Sequence, residues 1–111
     1  MAVIIKTSNP SGLLSALRKA IDDNKIETWS YDADGDFTHT PNQWEKKAWL
    51  RPKIYSGELR FGILAVQGTN MSKLFYGVYH GRFIEMMLVH FDESFSFANA
   101  TAQKTEPDNF S

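Results

Sequence analysis

At 111 residues, with 42% hydrophobic and 23% charged side chains, the chain is expected to form one globular domain, not two, and not a disordered segment. It has no cysteine, which excludes disulfides and thiolate metal centres, and its net charge of −1 is far from the strong basicity of an electrostatic nucleic-acid binder. No apolar run approaches the roughly 18 residues of a membrane span, and Met1–Lys6 lacks the basic start and apolar length of a secretory signal, so a soluble cytoplasmic protein is expected.

Val3, Ile4 and Ile5 are contiguous β-branched residues and predict a short first strand. Ser8 or Asn9 can then cap a helix that has Pro10 in its first turn, where a missing N–H costs nothing. Leu13, Leu14, Ala16, Leu17, Ala20 and Ile21 recur at helical period, with Arg18, Lys19, Asp22 and Asp23 on or near the other side. This main amphipathic helix is expected over about residues 10–24, with Asn24 as its stop.

From Ile26 the period shortens to two. Residues 26–31 and Phe37–His39 read as strands joined by the turn-forming Asp32-Ala-Asp-Gly-Asp36. Thr40-Pro41-Asn42-Gln43 resembles a helix-capping box and predicts a short helical turn near 41–47 that carries Trp44. Ala48–Tyr55 contains Pro52, which has no N–H for a ladder, so this segment is expected as an edge strand or an extended arm. Ser56-Gly57 turns the chain into Glu58–Gln67, which alternates and becomes apolar on both faces, as a central strand does. Gly68–Asn70 predicts another turn. Lys73–Tyr79 and Arg82–Phe91, tightly joined at His80-Gly81, are expected as the last two strands.

The architecture predicted is α+β: one main helix packed on a curved, mostly antiparallel sheet of five to six strands. Residues 1–93 form the domain in this reading. Residues 94–111 are expected to be a mobile polar tail, pinned at Phe95 and Phe97.

Several residue groups carry candidate chemistry. Asp32, Asp34 and Asp36 alternate as the first three ligands of a calcium loop do, because crowded carboxylates need a cation to offset their repulsion. The match stops there: glycine's place in that loop is taken by Phe37, the bidentate glutamate's by Gln43. His39, His80 and His90 have no spacing that preorganises a metal pair. No Gly-x-Ser-x-Gly elbow, phosphate loop or other cofactor motif occurs, so no cofactor is expected and an enzyme is the lesser expectation. Trp44, Lys46, Lys47, Trp49, Arg51, Lys53, Tyr55 and Arg60 interleave aromatic and basic groups, as single-stranded nucleic-acid binders do. With residues 1–91 at a net of only +2, nucleic acid is not the expected partner.

These observations lead to a small binding or interaction domain that self-associates as a homodimer through apolar sheet surface, since one helix shields only part of such a sheet. A ligand pocket, where there is one, is expected around Asp34, Asp36, His39, Trp44, Trp49 and Arg51. Two alternatives stand beside this reading. One is a small enzyme or divalent-metal protein using the Asp32–Asp36 hairpin and His39; the other is a single-stranded nucleic-acid binder using segment 44–60.

Overall fold

A computed structural model describes residues 2–65 and 72–108. The turn expected at Gly68–Asn70 lies outside these residues. Strand β1, Ala2–Lys6, leads into helix α1, Pro10–Asp22. The Asn9 side chain accepts the Gly12 N–H at 3.1 Å and caps the helix. At the other end Asn24 takes the left-handed conformation, φ 61°. Its N–H bonds the Ile21 carbonyl while the Lys25 N–H bonds that of Ala20, which satisfies two carbonyls the helix leaves open.

Strands β2, Trp29–Tyr31, and β3, Phe37–His39, form the expected hairpin. Residues 41–47 make a turn in which the Trp44 and Glu45 N–H groups both bond the Pro41 carbonyl. Strands β4, Ala48–Tyr55, and β5, Glu58–Ala65, pair along their full length across the Ser56-Gly57 turn, where Gly57 has φ 74°. Strand β3 meets β4 only at Phe37–Leu50, so β4 is interior at Leu50 and an edge at Pro52, where the missing N–H costs no ladder bond.

The next element departs from expectation. Lys73–Phe91 is a single helix, α2, of 19 residues, and not two strands turned at His80-Gly81. This segment is apolar nearly all round, so a two-residue and a 3.6-residue period fit it equally. Burial resolves the phase: Tyr79, Phe83, Met86 and Met87 point inward at helical spacing, and Ser72 caps the first turn by accepting the Phe75 N–H at 3.0 Å. Among the described residues the fold is α+β with two helices rather than one.

The sheet keeps six antiparallel strands because the segment read as a tail supplies one. Strand β6, Phe97–Ala100, pairs with β1, and the order is β2-β3-β4-β5-β1-β6 with both edges open. The chain then crosses the outer face of β5. Asp108 accepts the Ile63 N–H at 2.8 Å, and Gly62 makes room: a β-carbon there would lie 2.4 Å from the Pro107 carbonyl carbon. On the inner face Val3, Ile5, Phe37, Leu50, Leu59, Phe61 and Ile63 meet Leu13, Leu14 and Leu17 of α1 and Tyr79, Phe83 and Met87 of α2 in one core. The greasy sheet face is therefore covered by two helices, which removes it as an exposed surface. Among the described residues no helix is long and apolar enough to cross a membrane.

Candidate functional site

The residues singled out in the sequence fall at three separate places. At the β2–β3 turn, Asp32, Asp34 and Asp36 each offer a carboxylate oxygen within 4.8 Å of the others. Two of the three carboxylates are engaged within the chain. Asp32 Oδ1 accepts the N–H groups of Asp34 and Asp36, both at 3.0 Å, which shapes the turn. Asp36 is buried and receives Arg51 Nε at 3.0 Å and Nη2 at 2.8 Å, a bidentate pair that raises the Arg51 pKa above its usual value. Arg51 thus offsets part of the charge a cation would otherwise neutralise.

On the outer face of the sheet, Trp49, Arg51, Lys53 and Tyr55 of β4 stand opposite Leu64, Gly62, Arg60 and Glu58 of β5. Its cations are engaged within the chain. Besides the Arg51 pair, Lys53 meets Glu106 at 3.1 Å, and Arg60 meets Glu58 at 2.7 Å. Lys53 and Arg60 also lie over the Tyr55 ring, 5.4 and 4.5 Å from its centroid. Trp44 is absent from this face; it packs edge-on against Phe75 of α2. The two tryptophans therefore belong to different surfaces.

The third place is a cleft of about 410 Å³ between the hairpin, the 41–47 turn and α2. His39 and Trp44 line it; Asp34, Asp36, Trp49 and Arg51 do not. The remaining walls are Thr28, Trp29, Pro41, Gln43 and, from α2, Arg82, Glu85, Met86, Val89 and His90. A helical reading of residues 73–91 would have found this α2 flank, since positions three and four apart share a side. His39 stacks on Trp29 with ring centroids 4.6 Å apart. Its Nδ1 donates to the Thr28 carbonyl at 2.8 Å, so in the neutral ring Nε2 is the acceptor. Burial pushes the His39 pKa below 6.5 and nearby Arg82 pushes it the same way, against the Thr28 carbonyl and Glu85.

The sign of that shift makes a prediction. Below pH 6.5 the unfolded chain binds a proton at His39 that the folded chain refuses, so stability is fully present above that pH and falls as pH drops towards the folded pKa. The slope should reach at most about 1.4 kcal/mol per pH unit. Urea unfolding across this window should show it, and His39→Gln should flatten that part of the profile; a profile unchanged by the substitution would refute the assignment.

The outer side of α2 exposes Leu74 (64%), Leu88 (51%) and Val89 (70%), the last of which also borders the cleft. Between them Gly77 and Gly81 open onto space: a β-carbon built on either meets nothing within 4 Å. No protein-family model, curated protein or solved structure matches the chain.

Proposed function

We propose that this chain is a small non-catalytic interaction domain of the cytoplasm that pairs with a second copy of itself through the outer side of α2. The observation that carries this reading is the run of exposed aliphatics Leu74, Leu88 and Val89 on the same helix as two glycines open to solvent. Large exposed aliphatics in one band favour association, and glycines let two helix backbones approach closely. Each open glycine costs an isolated helix about 1 kcal/mol relative to alanine, a cost that close packing of a second helix can offset.

The helix spans roughly 28 Å. A standard interface buries about 800 Å² per partner, roughly an eighth of this chain's 6268 Å². Edge pairing is the weaker route, because β2 has three residues and β6 four, and short edge strands resist sheet extension. The enzyme alternative is weaker too, since His39 lines the cleft while Asp36 turns to Arg51. Single-stranded nucleic acid would have to displace the ion pairs of the outer sheet face.

Sedimentation velocity tests the proposal. The wild type should run as a dimer at tens of micromolar, and Leu88→Glu and Gly81→Gln should each weaken pairing about a hundredfold, because either puts a polar group or bulk into a closed contact. Ile54→Glu, remote from α2, should leave the dimer intact. A monomeric wild type at high micromolar concentration refutes the proposal.

A further inference from the structure

We infer that the cleft between the β2–β3 hairpin and α2 binds a free zwitterionic amino acid whose aromatic side chain carries a hydrogen-bond donor. This site adjoins the pairing surface proposed above, with Val89 at their border, but the inference does not depend on that pairing.

Its volume, about 410 Å³, lies within the range of small-ligand sites. Three features converge on the ligand class. The first is the rim, where Arg82 Nη1 and Glu85 Oε1 lie 3.7 Å apart with both side chains more than half exposed. So loose and solvated an ion pair contributes little by itself and leaves most of the guanidinium N–H groups and carboxylate lone pairs unfilled. An α-amino acid carries a carboxylate and an ammonium on one carbon, with opposite charges at a comparable short spacing. It can therefore meet both partners at once: carboxylate on Arg82, where a forked pair is available, and ammonium on Glu85.

The second feature is the inner wall. His39 is 5% exposed and gives its Nδ1 hydrogen to the Thr28 carbonyl, so Nε2 offers a lone pair. A ligand reaching this nitrogen has to bring a donor, such as an indole N–H or a phenol O–H. His39, Arg82 and Glu85 line the same cleft, which puts the rim charges and the inner acceptor within reach of one molecule.

The third feature is the lining between these polar ends. Trp29 and Trp44 supply aromatic surface and Met86 and Val89 aliphatic surface. This suits a flat apolar ring, and the methionine adapts to its edge. An apolar middle with a charged pair at one end and an acceptor at the other describes an aromatic amino acid with a donor on its ring.

Titration of L-tryptophan into ¹⁵N-labelled protein tests this by NMR. The backbone and indole signals of Trp29 and Trp44 and the ring signals of His39 should shift saturably, with Kd on the order of 1 mM or tighter for a ligand of this size. 1-Methyl-L-tryptophan, which has no donor for His39, should bind at least tenfold more weakly, as should tryptamine and indole-3-propionate, which each lack one charge. Arg82→Gln should weaken tryptophan about tenfold yet leave tryptamine unchanged, and Glu85→Gln should weaken tryptophan yet leave indole-3-propionate unchanged. Both residues lie on the surface, so these variants should fold. No saturable shift up to about 10 mM tryptophan overturns the inference. Equal binding of the methylated or singly charged analogues overturns it as well, because the cleft would then take any apolar ring.

Discussion

Phe83→Ala is expected to destabilise the protein by about 3–5 kcal/mol, against a total of about 5–15 kcal/mol for a domain of this size. Phe83 is fully buried. Its ring centroid lies 4.5 Å from that of Phe61, 5.0 Å from Trp29 in an edge-on contact, and 6.2 Å from Phe37. One side chain thus joins α2 to the hairpin and to β5, two parts of the sheet that are not adjacent in the chain. Alanine would leave a cavity lined by rigid aromatic rings, which collapse poorly, so the cost should lie towards the upper end of the range. Phe83→Leu keeps most of the volume and should cost about 1.5 kcal/mol or less. Urea midpoints for the two variants measure the difference. A loss under about 1 kcal/mol for alanine would mean that residue 83 lies on a solvent face, as an alternating strand would permit, and that α2 does not pack as described.

What the sequence made legible is what short-range chemistry controls. Asn9, Pro10 and Asn24 bracket α1 by capping and by backbone conformation, and its apolar stripe has a single period. The β2–β3 hairpin follows from alternation around an aspartate-glycine turn. The α2 segment defeats the same method because apolar residues occupy nearly every position, so periodicity carries no phase, and because a glycine beside a histidine imitates a turn. Gly77 and Gly81 are instead tolerated inside a helix whose ends are held by a Ser72 cap and by core contacts from Tyr79 to Met87. Strand β6 is illegible for a different reason. Phe97–Ala100 has no strand-forming alternation and is largely exposed; it pairs because the free edge of β1 offers unbonded N–H and C=O groups. The cleft inherits both limits. His39 and Trp44 could be named from local sequence, whereas Arg82, Glu85 and Met86 could join them only after α2 was recognised as a helix.

Tyr79→Phe should show how the cleft wall is held. The Tyr79 hydroxyl donates to the Trp44 carbonyl and sits 3.1 Å from Thr38 Oγ1. Thr38 Oγ1 in turn lies 3.0 Å from the Ala48 carbonyl as donor and accepts the Lys46 N–H at 3.1 Å. These bonds fasten both sides of the 41–47 turn, in which Lys46 is left-handed at φ 58°, a conformation that disfavours a residue with a β-carbon by about 1–2 kcal/mol. Without the tyrosine hydroxyl the Trp44 carbonyl keeps only the Lys47 N–H, at 3.2 Å, for an expected cost of about 0.5–1.5 kcal/mol. The loss should be local first: amide exchange at Trp44–Lys47 should quicken more than exchange in β4 or α1. Tryptophan binding should weaken as well, although no atom of Tyr79 lines the cleft, because Trp44 would no longer be held as a wall. Thr38→Val should produce the same pattern, and the double variant should cost less than the two single losses combined, since both cut one network. Strict additivity, or uniform exchange across the whole domain, would show that the hydroxyl pair contributes only to general packing and that the turn stands without it.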